Sequence, residues 1–231
     1  MAAEAKRATR AREATAAARA AGGRPANEMC VICIGPVVAP VELPCGHAYC
    51  GSCLAELRSK GVGQACPLCR AELPPGVEGL WELAMRIDLR VEGMVKRGEA
   101  SWASLPPAEQ EEMEEAVAML TEAAAQGHGG AQYNLGLAYH EGQGVARDVD
   151  RAIELYTQAA EGGYAYAYLN LGRLLVTERQ DVDGAEMAFH AAIEADPGYA
   201  NAYVNLGILL KNERQDVDGA EKAYRGAIEA D

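Results

Sequence analysis

The sequence predicts a mainly α-helical chain in which a small cysteine-rich module precedes a solenoid of stacked helical hairpins. Three observations carry that expectation. All seven cysteines fall between Cys30 and Cys69, so they serve one local purpose. The segments Glu178–Asp196 and Glu213–Asp231 align without gaps at a separation of thirty-five residues, with fifteen of nineteen positions identical, which marks a repeat protein. The chain is 49% apolar but only 6% aromatic and holds 25 Gly. Ala, Leu and Tyr must therefore do most of the packing, which suits thin helices in close contact better than a thick sheet core.

Charge divides the 231 residues into three. Residues 1–24 carry six Lys or Arg against two Glu (+4), residues 25–97 seven against eight (−1), and residues 98–231 eight against twenty-four (−16), which together give the net −13. The acidic second half argues against nucleic acid as a partner, because phosphate binding needs neutralising cations, and favours a basic or neutral protein. No uncharged run reaches the roughly twenty residues that a membrane-spanning helix needs: Met29–Val41 and Leu43–Ala55 are thirteen residues each, and Ala123–His140, rich in Gly, Gln and His, is eighteen.

In chain order, residues 1–26 form a basic Ala/Arg-rich tail, expected to be disordered or weakly helical, with no continuous apolar segment of a secretory signal; a transit peptide is the competing reading, weakened by Glu4 and Glu13. Residues 27–75 hold the metal module. Its ligand order is Cys30-x-x-Cys33, eleven residues, Cys45-x-His47, two residues, Cys50-x-x-Cys53, twelve residues, Cys66-x-x-Cys69. An odd cysteine count with three Cys-x-x-Cys pairs in forty residues reads as metal ligation in a reducing compartment, cytoplasmic or nuclear, and not as a secreted disulfide framework. Zinc takes four such ligands, so eight fill two closed structural sites and leave no open position for a catalytic water. A segment this short cannot bury enough apolar surface to fold unaided, and metal binding contributes on the order of ten kcal/mol per site.

Three cysteines, one histidine and four cysteines at these gaps resemble the RING finger. The resemblance implies a cross-brace, with Cys30, Cys33, Cys50 and Cys53 on the first zinc and Cys45, His47, Cys66 and Cys69 on the second. It also implies a ubiquitin ligase that presents a shallow apolar groove to a ubiquitin-conjugating enzyme. Ile32 and Pro67 match the usual contact positions. Arg70 matches the linchpin that bridges the conjugating enzyme and its ubiquitin. Leu57 stands where many active members carry Trp, which leaves the groove apolar but smaller. Against these roles, Ile32 and Leu57 can simply pack the small core, and Arg70 can be a solvated charge.

Residues 76–107 read as a helical linker: Leu73-Pro74-Pro75-Gly76 closes the finger, Leu80, Leu83, Ile87 and Val91 lie on one helix face, Gly98 stops the helix, and Pro106-Pro107 starts the next. Residues 108–231 form the repeat array. First helices carry Tyr168, Leu171, Gly172 and Leu175, then Tyr203, Leu206, Gly207 and Leu210; second helices carry Ala185, Phe189 and Ala192, then Ala220, Tyr224 and Ala227. This pattern resembles the tetratricopeptide repeat. The unit Ala131–Gly163 keeps the frame but inserts Gly142-Gln143-Gly144, which resembles the Sel-type repeat. The fold expected is thus a two-zinc cross-brace RING domain followed by an α-solenoid of TPR/Sel-like helix-turn-helix repeats.

Asn134, Asn170 and Asn205 precede Leu-Gly once per repeat and are the candidate peptide-binding residues, as a ladder of amides along the groove; bonding to a neighbouring helix or to water is the rival. Asp-Val-Asp at 148–150, 181–183 and 216–218 reads as helix capping, and His128, His140 and His190 as surface residues. The chain stops at Asp231 where the preceding repeat continues with Pro197, so an incomplete chain or a partner over the last hairpin is expected. The functional reading is a RING-type ubiquitin ligase whose array selects a protein substrate. The rival is a non-catalytic zinc-binding adaptor.

Overall fold

The computed structural model describes residues 29–59, 65–73 and 75–230. The tail expected over residues 1–26 lies outside the described residues. Two compact units divide between Leu83 and Ala84, within one helix.

The first unit contains two small antiparallel ribbons and a short helix. β1 (Met29–Cys30) pairs with β2 (Gly35–Pro36), and β3 (Pro40–Glu42) pairs with β4 (Ala48–Cys50) in the register Pro40 to Cys50 and Glu42 to Ala48. β4 runs directly into α1 (Gly51–Ser59). The buried cluster consists of Cys30, Leu43, Tyr49, Cys50, Leu54, Cys66 and Leu73. Three of these seven are expected metal ligands, so the apolar core alone is very small.

α2 (Val77–Lys96) crosses the division. Its second half belongs with the array, where Ala84, Ile87 and Val91 are buried and Arg90 pairs with Glu109 at 3.7 Å and with Glu112. Gly98, at φ 73°, follows the helix end. α3 (Pro107–Ala125) starts on Pro107, where the missing N–H costs nothing. Three hairpins follow: α4 (Gly129–Glu141) with α5 (Val149–Glu161), α6 (Tyr166–Leu174) with α7 (Val182–Ala195), and α8 (Ala200–Asn212) with α9 (Val217–Ala230). From α3 to α9, consecutive helices pack on one another in chain order. No helix among the described residues is long and apolar enough to cross a membrane.

Each hairpin is closed by the same contact. A methyl group added at Gly136 would lie 2.8 Å from the Tyr156 ring, one at Gly172 2.5 Å from Phe189, and one at Gly207 2.6 Å from Tyr224. The Leu-Gly step thus lets an aromatic ring of the second helix rest directly on the backbone of the first. The inserted Gly144 makes a different close approach, with the backbone of Met113 on α3 2.8 Å from the position a Cβ would take. At φ 68° that residue also has a left-handed backbone, which glycine adopts without strain.

The two aspartates of the first two Asp-Val-Asp steps have separate jobs. Asp148, Asp181 and Asp216 accept from the backbone N–H of Arg151, Gly184 and Gly219 at 3.0, 2.9 and 2.9 Å, which caps the second helices. Asp150 and Asp183 reach into the next repeat and pair with Arg179 and Arg214. His128 is also a cap, its Nδ1 accepting from the Ala131 N–H at 3.0 Å, and so is more than the surface residue expected from the sequence. The first helix of the second hairpin ends in a π turn (Leu175–Arg179) before Gln180, whose φ of 56° recurs at Gln215. At the last hairpin Val217 and Ile228 are exposed, whereas their counterparts Val182 and Ile193 pack against the core.

Gly172→Ala should lower the thermal midpoint of the array, because overpacking against Phe189 costs about 1–3 kcal/mol and outweighs the helix-propensity gain of about 1 kcal/mol. Gly93→Ala, within α2, meets only the flexible end of Arg97 at 3.2 Å and should raise it. Circular dichroism melts of both variants check the opposite signs.

Candidate metal centres

Both terminal Cys-x-x-Cys pairs fold as the same knuckle. The Ile34 N–H donates to the Cys30 carbonyl at 2.8 Å, and the Arg70 N–H donates to the Cys66 carbonyl at 2.8 Å. Ile34 and Arg70 take the left-handed backbone that closes each turn, at φ 57° and 61°. Backbone N–H groups thereby point at the first sulfur of each pair.

The inner ligands come from β4 and its flanks. Cys45 and His47 sit in the tight loop between β3 and β4, where Gly46 has φ 81° and the Leu43 N–H donates to the His47 carbonyl at 2.8 Å. Cys50 ends β4 and Cys53 lies one turn into α1, so this strand-to-helix junction faces the opposite centre. The result is two interleaved groups, Cys30, Cys33, Cys50 and Cys53, and Cys45, His47, Cys66 and Cys69, with the ligand atoms of each group within 4.8 Å of one another.

A tetrahedral zinc with Zn–S of about 2.3 Å and Zn–N of about 2.0 Å separates two sulfurs by about 3.8 Å and a sulfur from a nitrogen by about 3.5 Å. Cys33 and Cys50 Sγ are 3.9 Å apart, and His47 Nδ1 is 3.5 Å from Cys45 Sγ and 3.6 Å from Cys66 Sγ. The donor set and its spacing fit two zinc ions. The distances also identify Nδ1 as the ligand atom of His47, leaving the ring proton on Nε2.

The electrostatics of the thiols ask for a cation. Burial opposes ionisation of Cys30, but the backbone N–H groups of Cys33, Cys50 and Ile32 outweigh it and bring the thiol down to about 6. Cys66 likewise falls to about 6 against burial, helped first by the Tyr49 hydroxyl. Their neighbours move the other way: burial and the Cys33 and Cys30 sulfurs push Cys53 up to about 12, and burial and the Cys69 and Cys66 sulfurs push Cys45 up to about 11. Without a positive charge Cys30 and Cys66 ionise readily, while Cys53 and Cys45 beside them resist. A bound divalent ion reverses that order and deprotonates all of them.

Tyr49 is a functional residue that the sequence reading missed. Its ring is fully buried and its hydroxyl lies 3.1 Å from Cys66 Sγ, where it donates to the thiolate. The Val38 N–H does the same for Cys50 Sγ at 3.2 Å. An aromatic residue placed between two ligands, His47 and Cys50, was the available signal for Tyr49. The Val38 contact left none, since it comes from the backbone.

The residues matched to a conjugating-enzyme surface are placed as follows. Ile32 is half-buried and packs on the finger core, Leu57 is half-buried on α1, and Pro67 and Arg70 are exposed on the second knuckle. The three asparagines do not form a uniform ladder. Asn134 and Asn205 donate back to the Gly130 and Asn201 carbonyls of their own helices at 2.8 Å, whereas Asn170 donates to the Tyr133 hydroxyl at 3.0 Å. An amide four residues beyond a helix carbonyl is within easy reach of it, and that local bond takes the donor in two of the three.

Tyr49→Phe removes one hydrogen bond to a ligand sulfur and keeps the ring. Its zinc affinity, measured by competition with a chromophoric chelator, should fall about 10–100-fold; an unchanged affinity would show the contact to be incidental.

Comparison with known proteins agrees with this geometry. The model of the zinc finger, C3HC4 type (RING finger), matches residues 30–69, and the Sel1 repeat model matches residues 103–128 and 130–164. Human E3 ubiquitin-protein ligase TRIM65 is 47% identical over 49 residues, 21% of this chain and 9% of that protein. Mouse E3 ubiquitin-protein ligase RNF114 is 39% identical over 59 residues, 26% of this chain and 25% of that protein. The chain thus spans a quarter or less of the length of these relatives, over the finger region. A Sel1 repeat protein from Oxalobacter formigenes superposes with a TM-score of 0.52 at 24% identity, covering 67% of this chain and 58% of that one, and supports the fold of the array. Residues 30–69 are therefore a C3HC4 RING finger, and the helical hairpins that follow begin as Sel1 repeats.

Proposed function

We propose that this protein is a RING-type ubiquitin ligase that recruits a ubiquitin-loaded conjugating enzyme through the finger and a protein substrate through the helical array. The observation that carries the reading is the pair of closed, interleaved ligand groups with Arg70 exposed immediately after the last ligand. Eight ligands filling two tetrahedra supply rigidity and no reactive water, so the finger acts as a platform. Its chain offers surface groups to a partner that brings its own thioester.

In this reading Ile32, Leu57 and Pro67 supply the apolar docking surface. Arg70 supplies a planar guanidinium whose donors can bridge two acceptors at once, holding ubiquitin folded against its carrier in the conformation a substrate lysine attacks. The left-handed backbone at Arg70 closes the knuckle, so its side chain starts from a fixed point beside the second centre. No covalent intermediate forms on this chain. The array provides the substrate-binding half of the function, and thiolate ligation in place of a disulfide framework supports a reducing compartment, cytoplasm or nucleus. Leu57 in the position often held by Trp favours a second reading, a non-catalytic zinc-binding adaptor, because a smaller apolar side chain buries less area against a conjugating enzyme.

Autoubiquitination with a panel of conjugating enzymes separates the two. Ile32→Ala and Arg70→Ala should each reduce ubiquitin transfer at least about tenfold, the worth of one charge-assisted contact of about 1.5–3 kcal/mol in the arginine case. Arg70→Lys should not restore it, since an ammonium cannot bridge as the guanidinium does. Zinc content should stay unchanged in all three. Wild-type inactivity across the panel would favour the adaptor, and full activity of both alanine variants would place the contact surface elsewhere.

A further inference from the structure

The array carries a second chemically distinct surface. α6 places Tyr166, Asn170 and Arg173 at i, i+4 and i+7, which is one stripe of a helix. Tyr133 from α4 and Tyr164 from the preceding loop lie to one side of it, and Tyr199, at the start of α8, lies to the other. The rings touch in sequence: Tyr133 to Tyr164 at 5.1 Å, Tyr164 to Tyr166 at 5.8 Å, and Tyr166 to Tyr199 at 5.0 Å, tilted by 44°, 58° and 77°. A continuous aromatic row therefore crosses three successive hairpins. Tyr166, at its centre, is 49% exposed.

The polar groups beside this row are donors. Asn170 donates to the Tyr133 hydroxyl at 3.0 Å, which leaves the phenol proton of Tyr133 to give. Arg173 is exposed and makes no ion pair among the described residues, although residues 98–231 hold twenty-four carboxylates against eight cations. By contrast Arg147, Arg151, Arg179, Arg214 and Arg225 are all paired. Arg173 is close enough to act on the row: burial raises the phenols of Tyr133 and Tyr199, and the arginine charge works in the opposite direction on both. Under the row, 5.8 Å from Tyr133, the fully buried Tyr156 holds a hydroxyl with no hydrogen-bond partner among the described residues.

Flat rings interspersed with donors call for a ligand that brings accessible carbonyls and flat apolar side chains. A helical ligand has already used its carbonyls, and an all-helical array offers no sheet edge for an added strand. A polyproline II segment meets both demands, because none of its backbone carbonyls is bonded internally and its proline rings stack on aromatic faces. The −16 charge of residues 98–231, with Glu141 and Asp196 acting on the same tyrosines, selects for basic residues at the flanks of that segment.

We propose that the row Tyr133, Tyr164, Tyr166 and Tyr199, with Asn170 and Arg173, is the docking site for a proline-rich, basic-flanked peptide in the polyproline II conformation. This names the chemistry of the segment that the array recruits, and so rests on the reading of the array as the recruitment module.

Fluorescence anisotropy of the full chain tests it with a labelled synthetic peptide that has a proline-rich centre and arginines at both ends. Replacing the prolines by alanine at constant charge should weaken binding at least about tenfold, and Tyr166→Ala about fivefold to tenfold, the cost of one stacked ring. Arg173→Gln should weaken it less, with helix content and thermal midpoint unchanged in both variants. Equal binding of the proline and alanine peptides would overturn the proposal, leaving charge attraction alone, as would undiminished binding by folded Tyr166→Ala. Because the assay involves no ubiquitin transfer, its failure leaves the ligase reading of the finger standing, and an inactive finger leaves the peptide result standing.

Discussion

Four ligand atoms held within 4.8 Å of one another are the constraint on which the N-terminal module depends. As thiols they compete for the same small space, and as thiolates they repel. Only a cation makes the arrangement favourable, and the apolar contribution around it is slight, since three of the seven buried cluster residues are themselves ligands. The same coordination sets the local backbone, with left-handed residues after each outer pair and a strand that feeds one centre before its end and the other after it. A docking surface built on these loops inherits its rigidity from the ions.

The array rests on a different interaction, the contact of a bare glycine backbone with an aromatic ring, made once in each hairpin. It sets how closely the paired helices approach. The aspartate steps then act twice, one side chain capping its own helix and the next reaching into the following repeat. Surface ion pairs of that kind contribute little singly, about 0–1 kcal/mol. Their recurrence at Asp150 and Asp183 shows instead a fixed relation between neighbouring repeats, which is what allows side chains from three hairpins to line up in the tyrosine row.

Much of this was legible in the residue order. Ligand spacing gave the number of centres, and the family resemblance, which the spacing alone could not replace, implied their interleaving. Helical spacing and internal identity gave the hairpins, and the Asp-Val-Asp steps gave the caps. What escaped was contact across turns or between elements. Tyr49 reaches Cys66 from seventeen residues away, and Val38 acts through its backbone. The different partners of the three asparagines were not legible either, because recurrence along the sequence says nothing about whether a side chain turns to its own helix. Tyr133, Tyr166 and Tyr199 do recur at a spacing of thirty-three residues, but their contacts, and the place of Tyr164 among them, exist only once the hairpins are stacked.

The central claim, that two closed zinc centres hold the finger, is tested most directly by elemental analysis of the purified full chain together with spectroscopy during chelation. The account predicts two zinc ions per molecule, released by a strong chelator with loss of ordered structure in the finger while the helical signal of the array persists. Substantially fewer than two zinc ions, iron in their place, or a finger that keeps its structure after complete metal removal would contradict it.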